Sequence, residues 1–177
     1  VIVDGNRGWA FDGETLREIS EDGFYPADNV VFFNNYFIFN RAGTGQFFWS
    51  ELLAQFTGSS LDPLDFATAE YAPDDTVGLE TLQQQLWLFG VNSVEVWYAS
   101  GDEATFTRVP GAVIDRGCSG AYAHCSTGDN VFWLTPQGAV YVNAGYQGQR
   151  VSTPALEFDV KGRDLSSAII WSYEDEG

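Results

Sequence analysis

The sequence predicts an all-β protein, a β-propeller-like array of antiparallel blades, with about three to four blades in its 177 residues. Three observations carry this expectation. Aromatic residues make up 16% of the chain and there are 19 glycines, the combination expected of strands that pack flat rings and of tight turns between them. Apolar clusters of five to nine residues alternate with turn signals along most of the length. Three segments share one frame: "YFIFNRAGTGQFF" from Tyr36, "LWLFGVNSVEVWY" from Leu86 and "VFWLTPQGAVYVN" from Val131. Each is an aromatic strand, a polar turn with glycine or asparagine, and a second strand, and they begin 50 and 45 residues apart. That spacing suits repeat units of four short strands. A lone four-stranded sheet has two faces to cover, and stacking blades face to face covers them. The period is loose, and an ordinary β-sandwich is the alternative architecture.

Taken in order, "VIV", "DGNRG" and "WAFDG" form a hairpin in which Gly5 and Gly8 are free to take positive φ. "NVVFFNNYFIFNRAGTGQFFW" gives two aromatic strands about an Asn34–Asn35 turn, since asparagine tolerates the left-handed conformation. From Ser50 to Asp75 the period is interrupted by Pro63 and Pro73, which predicts an excursion loop with a short helical turn near Leu52. "TVGLETLQQQLWLFG" is ambiguous, because Leu79, Leu82, Leu86 and Phe89 stand at helical spacing while Leu86 and Leu88 alternate. The Trp–Phe end and Gly90 favour two strands turning near Gln84. Leu86 and Leu88 then lie on one face and Trp87 and Phe89 on the other, and the chain turns through "GVNS" into "VEVWY". Glu95 is left as the one charge embedded in that second strand, facing solvent, a neighbouring subunit or a channel. After "FTRVPGAVIDRGCS", the triplets "GDN" and "PQG" mark successive hairpin turns. The tail offers a half-helical region at Leu165–Ile170 and a strand ending at Tyr173.

With 45% hydrophobic and 19% charged residues, the chain has the composition of a folded protein. Its length fits a single domain over residues 1–177. The absence of methionine and the strand-like opening predict an internal section of a longer protein. No apolar run approaches the roughly 18 to 20 residues of a membrane span. Eight basic residues against 25 acidic ones give a net charge of -17, and Lys161 is the one lysine. Such a surface repels phosphate, which argues against tight binding to DNA or to anionic membranes. Its plain role is to keep an aromatic-rich surface soluble.

The residues give little sign of catalysis. Nucleophilic chemistry needs a base beside an activated Ser or Cys, and the one histidine, His124, has no nucleophile elbow to serve, so an ordinary satisfied or exposed strand histidine is expected. One His and two Cys make no conventional zinc site, and the carboxylates of "DGNRG" and "STGDN" suit turn capping better than calcium. Cys118 and Cys125 are spaced for a cross-hairpin disulfide, although two isolated cysteines are ordinarily reduced, half-buried side chains. Propeller glycosidases gather carboxylates in a central funnel, roughly 5 to 9.5 Å apart; candidates here are Asp65, Glu70, Glu95 and Asp115, each expected to be a solvating surface charge. No residue is predicted as catalytic, cofactor-binding or metal-binding, and no cofactor is expected.

The wording of the chain is more specific than its composition. "NYFIFNRAGTGQFFWSELL", "LDFATAE", "LWLFGVNSVEVWYASGD", "FTRVPGAVIDRGC", "DNVFWL" and "GYQGQRVST", in this order between about Val30 and Glu157, resemble the packaged-DNA stabilisation proteins of short-tailed phages, also called tail accessory or tail hub proteins. The resemblance implies a virion structural protein of the short tail and not an enzyme. It implies a propeller-like subunit in a ring of six, made in the host cytoplasm, that attaches below the portal adaptor ring and helps retain packaged DNA. The implied partners are the adaptor ring, tailspike and needle plug, with no sequence-specific nucleic acid and no membrane. The chain departs from the family in the Ser50–Asp75 loop and the acidic "SYEDEG" tail. The competing function is a propeller that binds or cleaves carbohydrate, and the third is a β-sandwich interaction module.

Overall fold

The computed structural model describes residues 1–101 and 104–173, so Asp102 of the central aromatic segment and the last four residues of the acidic tail lie outside the described residues. Four antiparallel sheets follow one another along the chain. The first has three strands, β1 (Ile2–Val3), β2 (Gly8–Phe11) and β3 (Leu16–Glu18). The second holds β4 (Val30–Phe33), β5 (Tyr36–Asn40), β6 (Gln46–Ser50) and β7 (Leu61–Thr68). The third holds β8 (Thr76–Leu82), β9 (Gln85–Gly90), β10 (Val94–Ala99) and β11 (Phe106–Ile114). The fourth holds β12 (His124–Thr127), β13 (Asn130–Leu134), β14 (Val140–Ala144) and β15 (Gln147–Arg150). Within every sheet the strands are ordered as in the chain, a succession of meanders arranged as propeller blades.

The shared sequence frame corresponds to the two middle strands of each four-stranded blade: β5–β6, β9–β10 and β13–β14. β6, β9 and most of β10 are buried on both faces, which is why they are continuous apolar runs with little polar alternation, whereas β13 alternates and β14 is half-buried. The predicted faces hold. Leu86 and Leu88 join Ile38, Phe47 and Trp49 in the core between the second and third sheets. Trp87 and Phe89 join Val131 and Trp133 in the core between the third and fourth. A third core, built on Phe39, Phe48, Phe56 and Ile19, lies between the first and second. Strand β8 lies against β4 across one seam and against β12 across the next. The outward face of the first sheet leaves Phe11 and Leu16 exposed.

Both two-residue hairpins are confirmed. Asn34 and Asn35 take φ of 48° and 69°, and Gln83 and Gln84 take 49° and 60°, the doubly positive pattern of the turn that matches strand twist.

Four expectations, in two stretches of the chain, are corrected. The segment from Ser50 to Asp75 is not all loop, because β7 is the fourth strand of its blade, and no helical turn forms near Leu52, where Leu53 instead takes φ 53°. β7 was masked by Pro63 and by its mostly exposed residues. An edge strand tolerates both, since its outward N–H groups have no ladder partner to lose. At the other end the helix is α1 (Pro154–Val160), not Leu165–Ile170, and no strand reaches Tyr173. Thr153 caps α1 and proline opens it, but it buries no residue and so offered no apolar stripe. The segment after it is held irregularly, with Ala168 packed on the core between the third and fourth sheets and the Ile170 amide donating to the Tyr122 carbonyl.

Candidate functional site

The side chains with chemical potential collect at the seams between blades. Glu95, on β10, is 2% exposed and does not face solvent. Its Oε1 accepts from the Tyr71 amide at 2.8 Å and its Oε2 from Trp97 Nε1 at 3.1 Å, with Arg108 Nη1 3.8 Å from the same oxygen. Tyr71 belongs to the link between β7 and β8, so one carboxylate ties that link to the middle of the next blade. The expectation that each candidate carboxylate is a surface charge therefore fails at Glu95. Its neighbours Leu88 and Val113 in the ladder are apolar, and a carboxylate is tolerated there because its oxygens are satisfied.

Three of the four candidate carboxylates gather around this link. Glu70 and Glu95 share a cleft of 280 Å³ with Trp97 and Arg108. The Asp115 carboxylate beside the Tyr71 hydroxyl favours the neutral phenol and raises its pKa above the ordinary value. Asp65 stands apart on β7, its carboxyl pushed up by burial and then by Asp62. Glycoside cleavage needs two carboxyl groups free to trade protons or attack a sugar. Glu95 has both oxygens committed to donors of its own chain, which takes it out of any such pair.

His124 opens β12 and is buried against β8 and β9, contrary to the expectation of a satisfied or exposed side chain. Its ring stacks on Phe89 at 4.7 Å, and neither nitrogen has a hydrogen-bond partner. Nδ1 stands 3.7 Å from Glu80 Oε2, an ion-pair distance when the ring is protonated. Burial by itself raises the Glu80 carboxyl pKa, but His124, the Thr81 amide and Ser126 together outweigh it and hold the pKa below its ordinary value. The ring fits because position 78 is glycine: a Cβ there would lie 2.6 Å from His124 Cδ2.

Both cysteines are free. Burial pushes the Cys118 thiol up to about 11, which makes it a poor nucleophile. Asp4, in "DGNRG", caps the Asn6 and Arg7 amides at 3.0 and 2.7 Å. Among the described residues no group of three or more His, Cys, Asp or Glu is placed to hold a metal ion, and no helix is long and apolar enough to cross a membrane.

Several connecting residues carried no signal in the sequence. Asn29 accepts from the Leu79 amide and donates to the Ala121 carbonyl, so one side chain joins the second blade to the third and to the strand entry of the fourth. Asn40 accepts from the amides of Asp28 and Asn29 and donates to the Thr76 carbonyl. Glu21 gathers the amides of Gly58, Ser60 and Leu61. Their partners are 11 to 92 residues away, beyond the reach of any local pattern.

The chain is a succession of antiparallel blades whose seams are tied by the side chains of Glu95, Asn29 and Asn40. The family model described as Bacteriophage P22 Gp10, beta-propeller, matches residues 1–177. The chain belongs to this family. It is therefore a member of the phage P22 Gp10 DNA stabilisation proteins, which are phage structural proteins with a β-propeller fold. No curated protein matches the chain significantly. For this Gp10-family member, the hydrogen bonds of Glu95, Asn29 and Asn40 tie successive blades together.

Proposed function

We propose that this chain is part of the hub of a short phage tail, a non-enzymatic virion component that attaches below the portal adaptor ring, helps retain packaged DNA and builds the ejection conduit. The observation that carries this reading is the family match over the whole chain. The resemblance of six ordered sequence segments supports a ring of six copies that meets the adaptor on one side and the tailspike and needle plug on the other. Synthesis in the host cytoplasm and incorporation into the short tail follow from the same reading.

The net charge of -17 suits a conduit. Carboxylates repel phosphate and do not hold passing DNA, whereas a basic lining would bind it through counterion release. The competing glycosidase reading is weakened by Glu95, whose carboxylate is buried and fully engaged.

Electron microscopy of the full-length polypeptide mixed with portal adaptor ring tests the proposal. The expected result is a ring of six seated beneath the adaptor. Persistent monomers with no complex would overturn it, as would turnover of a glycan by the purified protein.

A further inference from the structure

A second cleft, of 520 Å³, opens between the third and fourth blades on the side that carries the β9–β10 and β13–β14 turns. That volume falls within the roughly 300 to 1,000 Å³ of small-ligand sites. Its wall includes Asn92, Asp115, Arg116, Gln137 and Tyr141, closed at one end by the Arg150–Glu157 pair of β15 and α1. The floor is made by a close approach at Gly117, where any Cβ would collide with the backbone of Val91 and Asn92.

Much hydrogen-bonding capacity here is unspent. Arg116 donates to the backbone carbonyl of Asp115 and has no side-chain partner, although Arg7, Arg17, Arg108 and Arg150 are each paired with a carboxylate and Arg41 lies over Tyr25. Asn92 and Gln137 are exposed, and among the described residues their side-chain amides and the Tyr141 hydroxyl make no hydrogen bond. Planar donors and acceptors thus converge on one concavity beside an aromatic ring that is itself stacked on Trp133 at 5.8 Å.

Charge decides the ligand class. Arg116 and Arg150 balance Asp115 and Glu157, so this cleft is neutral on a chain of net charge -17. An anion entering it meets two carboxylates and the field of the whole chain; a cation meets two guanidinium groups that water screens only partly. A neutral polyhydroxylated molecule meets neither penalty and satisfies forked arginine, amide and phenol groups together. We infer that the cleft between the third and fourth blades binds a neutral saccharide, without cleaving it.

The inference is independent of the tail-hub reading and is tested on the intact chain by amide-resolved NMR titration. The probes are lactose and chitobiose at up to tens of millimolar, with glucuronic acid and glucosamine as charged controls. A neutral disaccharide is expected to shift amides at 91–92, 115–117 and 137–141, with at least tenfold weaker binding for Arg116→Ala and for the exposed-residue variant Gln137→Ala, both retaining the parent spectrum elsewhere. No response in the cleft to either disaccharide, an equal response to the charged sugars, or unchanged binding in both variants would overturn it.

Discussion

Glu95 shows how a single buried carboxylate serves a propeller seam. It gives up hydration for an amide, an indole N–H and a guanidinium, and removing it leaves those donors stranded. A buried donor without a partner costs about 1 to 3 kcal/mol. Glu95→Leu is therefore expected to destabilise by about 3 kcal/mol, read as a lower urea midpoint at unchanged slope. Gly78 is fixed by sterics instead. Gly78→Ala should cost about 1 to 3 kcal/mol through overpacking against His124, and a double-mutant cycle with His124→Ala should recover most of that cost. Glu80 sets an acid dependence. Its folded pKa lies below the ordinary 4.5, so its contribution is complete above that value and is lost as pH falls through the folded pKa. Unfolding midpoints measured from pH 6 downward should fall less steeply in Glu80→Gln below pH 4.5 than in the parent. Of these residues, the sequence marked Glu95 as out of place and took His124 for an ordinary strand histidine, and it showed the contacts of neither, because their partners arrive from other segments of the chain.

At the level of elements, the strongest local signals were the middle strands of the second and third sheets, because both of their faces are buried and aromatic composition follows burial directly. Edge strand β7 and the short strand β3, exposed over most of their length, left no comparable trace. The hairpins divide in the same way. Asn34–Asn35 uses a residue type that accepts positive φ, whereas Gln83–Gln84 occupies the same geometry with side chains that disfavour it. Replacing Gln83–Gln84 by Asn–Gly is expected to stabilise the protein by about 1 kcal/mol, visible as a higher thermal midpoint, since the native geometry is kept while local strain is relieved.

For the whole molecule, the dominant quantity is charge. A net charge of -17 imposes self-repulsion on the folded state that added salt relieves. Raising the ionic strength from 0.01 to 0.15 M shortens the screening length from about 30 to about 8 Å. The thermal midpoint should rise over that interval; a fall would show that attractive ion pairs outweigh the repulsion. The same field opposes DNA, so electrophoretic mobility of duplex DNA should be unaltered by the chain at 0.15 M salt.

The sequence by itself determined the fold class, the blade repeat, the faces of the central strands and the family, since each is written in local period, composition or ordered wording. The tertiary structure decided where the chemistry is spent. Asn29, Asn40 and Glu21 are unremarkable polar residues in loops or at strand ends until folding brings distant amides to them. The aromatic segment from Leu86 shows both halves: its alternating faces followed from period two, but the burial of Glu95 within it depended on Tyr71, a residue of the preceding link that only the stacking of blades delivers. Burial and pairing are properties of contacts between segments, and a linear pattern records them only where neighbouring residues share the same surroundings.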